Sequence, residues 1–378
     1  MSTAQPSDGR AGKASLRGQV LVVPHGTGIG DAVTARPLLE AIVEHEDRGQ
    51  VFVLLPAHLA WLLPPGAAPA PQRLLSRLWK RMEPDSRAAV LLRRLSARQT
   101  ARLAHPAVMR AAALGLTRLL EFEGFEVINL LEYFSQLDLH RRWTAGSWSR
   151  DRRHVIDLLA DRLRERGITV PAQRCVPTLR LVPLPLDCAP AVILNPNAGS
   201  PLKEPPAGFW VGVVAALRRS SIRPFVLAAP GRGMARDIVQ EAPGSILLEE
   251  TELPGVAARL AGADLVISPD SGILHLAAAT GTRFLGLFGP TDPLFLGPNR
   301  RDGGVLLQTA VRHGEVCRGC WTAQLLPAAR CALLDAHNCL AGIPPEAVVD
   351  TVLTLLSERV GERGRTERRA RCSSITSE

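Results

Sequence analysis

Between residues 263 and 288 two short apolar runs, ADLVIS (263–268) and RFLGLF (283–288), each break off into a polar turn. Continuous runs of this length suit strands buried on both faces of a parallel sheet. The first breaks at Pro269-Asp270-Ser271-Gly272, after which Leu274, Leu276, Ala277, Ala278 and Ala279 predict a buried helix; the second ends in Gly289-Pro290-Thr291-Asp292-Pro293. A strand–turn–helix–strand unit of this kind confines the chain to an α/β fold. Its polar loops lie at the carboxyl ends of the strands, the edge at which open parallel sheets bind ligands. The helix opening at Ser271-Gly272 offers N–H groups and a positive dipole end to a phosphate.

The same unit recurs along the chain. QVLVV (19–23) runs into Pro24-His25-Gly26-Thr27-Gly28-Ile29-Gly30-Asp31, and helical spacing of Ala32, Val33, Ala35, Leu38, Leu39, Ile42 and Val43 follows. VFVLLP (51–56) and FEVINLL (125–131) are further strand candidates, and HVIDLLADRLRERGI (154–168) is an amphipathic helix. A second series starts at AVILNPN (191–197), continues through RPFVLAAP (223–230) and SILLEE (245–250) with helices near 206–219, 235–241 and 253–261, and ends with a helix over 344–360. Strands alternating with helices predict two Rossmann-like domains. The expected division is a disordered lead-in at 1–18, an N-terminal domain at 19–180 with a basic helical insertion, and a C-terminal domain at 181–345. A helix at 346–360 and a charged, disordered tail at 361–378 complete it. The stretch 170–190, with five prolines, is a plausible connection between the halves.

Composition narrows the class. An apolar content of 46% indicates a soluble globular chain, and no apolar run reaches the roughly 18–20 residues needed to cross a bilayer. The lead-in MSTAQPSDGRAGKASLRG lacks the apolar core of a secretion signal. The net charge of +9 is concentrated: residues 71–120 hold eleven Arg or Lys against Glu83 and Asp85. Their interleaving with leucines suits an anionic membrane surface or an acidic substrate, or is an ordinary solvated helical face. Aromatics at 4% and the lack of a recognised motif argue against nucleic acid. Of seven cysteines, Cys317, Cys320, Cys331 and Cys339 cluster as C-x2-C-x10-C-x7-C. They are either four thiolates for structural zinc or iron, or buried reduced thiols.

Individual residues admit two readings at this stage. Asp31 opens a helix, so it either caps that helix or aims a carboxylate into a cleft to take a proton from a hydroxyl. Gly28 and Gly30 permit close approach of a ligand or of a facing domain. The run Asn195-Pro196-Asn197-Ala198-Gly199-Ser200, with Lys203 close behind, is a second polar turn, and its lysine suits a diphosphate. Asp270, Ser271 and His275 include an acid, a hydroxyl and an imidazole, but no glycine-flanked elbow surrounds the serine, which argues against a hydrolase.

Taken together, GIGDAVTARPLLEAI, NPNAGSPLKEPPAGFW, ISPDSGILHLAAATGTRFLGLFGPTDP and CLAGIPPEAVV resemble glycosyltransferase family 9, the ADP-heptose:lipopolysaccharide heptosyltransferases. The resemblance runs from residue 19 to about 357, with 66–124 and 132–180 unmatched. It implies an α/β fold of GT-B type, two Rossmann-like domains facing each other across a cleft. By motif it implies Asp31 as catalytic base, with Gly28 and Gly30 on the acceptor side. Asn197, Lys203, Asp270, Ser271, Gly272, His275, Thr291 and Asp292 then bind the donor and its diphosphate. The implied reaction moves a sugar, heptose from ADP-heptose, onto a lipopolysaccharide core or other anionic or lipid-linked saccharide. It needs no cofactor, and proceeds in the cytoplasm at the inner face of the membrane. A protein acceptor, or a non-catalytic nucleotide-sugar-binding module, is the alternative. The chain departs from the family in reading K-E-P-P where K-x-W-P is usual, and in carrying His25 before the glycine turn.

Overall fold

The computed structural model describes residues 19–45, 51–71, 114–133, 153–172, 176–299, 304–308 and 339–358, less positions 27, 115, 119, 122–124, 132 and 251. The expected disordered segments 1–18 and 361–378, most of the basic insertion, and Cys317, Cys320 and Cys331 lie outside the described residues.

Two parallel sheets form the frame. In the first, β1 (Val20–Val23), β2 (Val51–Val53), β3 (Ala67–Pro69) and β4 (Glu126–Asn129) are ordered β3-β2-β1-β4. In the second, β5 (Val192–Leu194), β6 (Phe225–Leu227), β7 (Ile246–Leu248), β8 (Leu265–Pro269), β9 (Phe284–Phe288) and β10 (Gly304–Gln308) are ordered β10-β9-β8-β5-β6-β7. This is the doubly wound Rossmann order, in which strand order reverses between the first and fourth strands and a ligand crevice opens there. The first sheet repeats the first four positions of that order, with its reversal between β1 and β4.

Apolar runs become strands here because both faces of the second sheet are covered. Side chains alternate across it: Ile193, Val266, Phe284 and Phe288 enter one core, while Val192, Leu194, Leu265, Ile267, Leu285 and Leu287 enter the other. Helix α1 (Ile29–His45) follows β1, and α2 (Val155–Arg164) carries the chain towards the second half. Helices α3 (Ala207–Arg219), α4 (Met234–Glu241), α5 (Leu253–Gly262) and α6 (Gly272–Ala279) alternate with the strands of the second sheet. A single turn α7 (Pro293–Leu296) and a final helix α8 (345–358) follow, the latter burying Val348, Val349, Val352 and Leu355.

Two expectations are adjusted. The strand expected over 125–131 stops at Asn129, because its partner β1 ends at the paired Val23, and Leu130 and Leu131 are already helical. Strands β3 and β10 add to the expected set; β3 reads Ala-Ala-Pro, with no β-branched or aromatic residue, and both are sheet edges, where a proline such as Pro69 is tolerated.

The halves meet helix end to helix end. One core cluster runs through both, joining Leu38 and Ile42 of α1 to Leu274 and Ala277 of α6. A Cβ placed on Gly30 would stand 3.0 Å from the His275 ring, and one on Gly272 would stand 2.5 Å from Ile29. Glycine at both positions lets the amino ends of α1 and α6 close on each other, so both positive dipole ends converge on one cleft.

Candidate active site

On the second half, the loops after β5 and β8 flank the strand-order reversal and hold a buried polar network. Asn195, at the end of β5, directs its Nδ2 at three acceptors: the Asn197 carbonyl at 2.9 Å, Ser268 Oγ at 2.9 Å and Ser271 Oγ at 3.1 Å. The Ser271 hydroxyl also accepts from the Leu274 N–H, so it is the N-cap of α6. Its oxygen is therefore committed to internal partners, and the first backbone N–H groups of α6 are what this turn presents to an anion.

Lys203 donates from Nζ to Asp270 Oδ2 at 2.8 Å, and both side chains are largely buried. Burial alone would raise the Asp270 carboxyl, but the Lys203 ammonium, with His275 nearby, holds it below the ordinary carboxylate value. His275 is lowered by burial, against the opposing pull of Asp270 and Asp31, so the imidazole is favoured over the imidazolium. Thr291 is fully buried beside Asp270. Asp292 accepts from the Leu294 N–H at 2.9 Å and caps α7.

Across the cleft, Asp31 sits at the third position of α1. Its Oδ2 accepts from the Gly28 N–H at 2.9 Å, the back-bond of a capping box. Its Oδ1 lies 3.7 Å from His25 Nε2, and the Asp31 side chain is 42% exposed. The His25 ring is buried, which lowers its pKa despite the nearby Asp31 carboxylate. Any side chain at Gly26 would collide with the Asp31 carboxylate. The cap and the base are thus compatible readings of Asp31: one oxygen closes the helix start, and the group remains open to the cleft.

The structure brings Asp31, His275, Asp270 and Lys203 into one electrostatic cluster spanning both halves. Three supports are not among the site residues that the sequence pattern singles out. Glu204, buried, accepts from the Ala198 N–H at 2.8 Å and pairs with Arg232 at 3.2 Å, which clamps the loop after β5. Ser268 is buried at the end of β8 and bonds to Ser271 at 2.9 Å. His154 accepts from the Ile156 N–H at the start of α2, which fixes the tautomer in which Nε2 donates to the Gly297 carbonyl at 2.7 Å. The one readable signal among these is His154 as the first residue of the helix expected over 154–168, where the structure makes it the N-cap. Of the cysteine cluster only Cys339 is described, packed against Gly289, and among the described residues no three His, Cys, Asp or Glu gather to hold a metal. None of the described helices is long and apolar enough to cross a membrane.

Residues 178–320, which carry the buried network, match the family model described as glycosyltransferase family 9 (heptosyltransferase). Lipopolysaccharide heptosyltransferase 2 of Salmonella typhimurium is 29% identical over 116 residues, a match spanning 30% of this chain and 29% of the relative's length. Among solved structures, E. coli ADP-heptose lps heptosyltransferase II aligns over 90% of this chain and 99% of its own, with TM-score 0.57 and 17% identity. The bacterial iron-containing dodecameric glycosyltransferase TibC, from enterotoxigenic E. coli H10407, aligns over 90% of this chain and 76% of its own, with TM-score 0.56 and 14% identity. At such identities the likeness is one of fold, and the fold is GT-B.

Proposed function

We propose that this chain, which carries a glycosyltransferase family 9 (heptosyltransferase) domain on a GT-B fold, transfers a sugar from a nucleotide-sugar by inverting single displacement. The observation that carries this reading is the division of labour across the cleft. A buried lysine and a helix amino end stand on one side, and an accessible carboxylate stands on the other. Asp31 takes the proton of an acceptor hydroxyl as that oxygen attacks the anomeric carbon. The bond to the nucleoside diphosphate breaks on the opposite face of the sugar. Its departing charge falls on Lys203 and the N–H groups at the start of α6. The Lys203–Asp270 pair holds the ammonium in place before the donor arrives.

ADP-heptose is the proposed donor, since the solved relatives include an ADP-heptose enzyme. A lipopolysaccharide core or related phosphorylated saccharide is the proposed acceptor, because the arginine-rich stretch over 71–120 supplies the charge to attract it. The proposed setting is the cytoplasmic side of the membrane. The test is a thermal-shift panel of ADP-, UDP- and GDP-sugars on the full chain, followed by product analysis with the donor that binds. Donor-dependent stabilisation with sugar appearing on the acceptor is the expected result. A chain that binds the donor yet transfers to no acceptor would instead be a binding module.

A further inference from the structure

The loop after β5 is fastened by several hydrogen bonds. The Asn197 carbonyl accepts from Asn195 at 2.9 Å, the Ala198 N–H donates to Glu204 at 2.8 Å, and the Ala198 carbonyl accepts from Arg232 at 3.4 Å. The side chain of Asn197 is not so fastened: it is 7% exposed, and neither Oδ1 nor Nδ2 has a hydrogen-bond partner among the described residues. Buried amides are nearly always satisfied, and an orphaned one lowers stability, so its retention on a rigidly fastened loop calls for a partner that arrives from outside. The loop borders the crevice at the strand-order reversal, with Lys203 at its end. A Cβ built at Gly199 would meet nothing within 4 Å, so space opens along the turn.

The chemistry of the amide selects the partner. A carboxamide offers two N–H donors and a carbonyl acceptor. Phosphate oxygens only accept, so a diphosphate would satisfy Nδ2 and leave Oδ1 orphaned. A group that both donates and accepts is needed, which means a hydroxyl or an amino-bearing base edge. We infer that Asn197 is a specificity contact for such a neutral donor–acceptor group of the bound nucleotide-sugar, and is separate from the diphosphate clamp formed by Lys203. This rests on the donor-site reading above and adds the kind of ligand atom that the loop reads.

The test is calorimetric titration of the wild-type chain, Asn197→Ala and Asn197→Ser with ADP, ADP-heptose and UDP-N-acetylglucosamine, alongside the melting temperature of each ligand-free protein. Asn197→Ala is expected to melt within a few degrees of wild type and to bind about ten-fold more weakly or worse, with Asn197→Ser partly restoring affinity. With adenosine titrated beside them, equal losses for adenosine, ADP and ADP-heptose would place the contact on the nucleoside, and a loss confined to ADP-heptose would place it on the transferred sugar; both results support the inference. A loss for ADP and ADP-heptose with adenosine unaffected would place the contact on the diphosphate and overturn it. Affinities within two-fold of wild type in Asn197→Ala overturn it while leaving the donor site standing. A large drop in the melting temperature of both ligand-free variants also overturns it, by making the amide structural. Wild-type protein that binds none of these ligands removes the donor-site reading and the inference together.

Discussion

Each half places a carboxylate just after a strand that borders its order reversal, and the two are treated in opposite ways. Asp270 follows β8, the fourth strand of its sheet in chain order, and is sealed into an ion pair with Lys203. Asp31 follows the first strand of the other sheet, keeps 42% of its side chain exposed, and has one oxygen bound by a backbone N–H. A carboxylate whose charge is held by a buried ammonium gives up little on losing a proton and resists gaining one. It is suited to positioning. A carboxylate fixed by one oxygen and open at the other is suited to proton transfer. Under the proposed function, the difference matches binding in the C-terminal half and chemistry in the N-terminal half.

The largest effect that would break this comparison is expected at Asp31. Asp31→Asn keeps the shape and the acceptor for the Gly28 N–H but removes the base. Turnover is expected to fall about 10²- to 10⁴-fold, with donor affinity unchanged in titration. Near-normal turnover would falsify the assignment of the base. Next comes Lys203→Ala, expected to lower turnover about 10²-fold or more and to weaken ADP binding. It also strands Asp270 in a buried site and costs roughly 3 kcal/mol of stability. The double variant Lys203→Met with Asp270→Asn is expected to recover the stability in a denaturant melt but not the affinity. Recovery of both would show the pair to be structural.

Much of this site is legible in the chain because its frame is local. The run LVISP ends in a turn and opens α6 within a few residues, so apolar continuity and the break at Pro269 suffice to place Asp270, Ser271 and His275. The role of Asp31 is less legible, since a helix-capping carboxylate and the proposed base occupy the same position; the Gly28 bond shows the cap, and the side chain stays 42% exposed. What pins the site together is long-range. Asn195 and Ser268 are 73 residues apart, and Arg232 and Glu204 are 28 apart, with no spacing rule connecting either pair. Gly30 reads as making room for a ligand or for a facing domain, and Gly272 as ligand-facing; in the fold each makes room for the other half of the molecule. Pattern reveals which residues end each strand, and only packing reveals which ends meet.

His154 gives a test of how firmly the halves are joined. It starts α2 in the first half and donates to the Gly297 carbonyl of the second. Burial, only partly offset by that carbonyl, lowers its pKa from 6.5 to about 4. The folded protein therefore refuses a proton that the unfolded chain accepts below pH 6.5. The stabilisation is fully present above that pH and is lost as pH falls towards 4, to a limit of about 3 kcal/mol. His25 and His275, lowered by the same burial, add to the loss. Melting temperature is expected to fall between pH 7 and pH 5. His154→Asn retains a helix cap while removing one titrating group, so its curve is expected to be flatter. An unchanged slope would mean that His154 does not bear the proton penalty.

The smallest effect is expected at His25, and it sharpens the comparison most finely. The ring stands 3.7 Å from Asp31 Oδ1, beyond ordinary hydrogen-bond length, and burial disfavours its charged form. A neutral imidazole at that distance limits the rotation of the carboxylate without supplying a counter-charge. His25→Asn is therefore expected to lower turnover only about two- to five-fold, with donor affinity unchanged and the pH profile of turnover keeping its shape. Measuring that profile for both proteins separates the alternatives. A loss approaching that of Asp31→Asn, with an acid limb that moves, would mean that the proton passes on to His25. The N-terminal half would then carry a two-residue base, and its contrast with the paired Asp270 would lie in the partner each carboxylate keeps, an imidazole against an ammonium, more than in exposure.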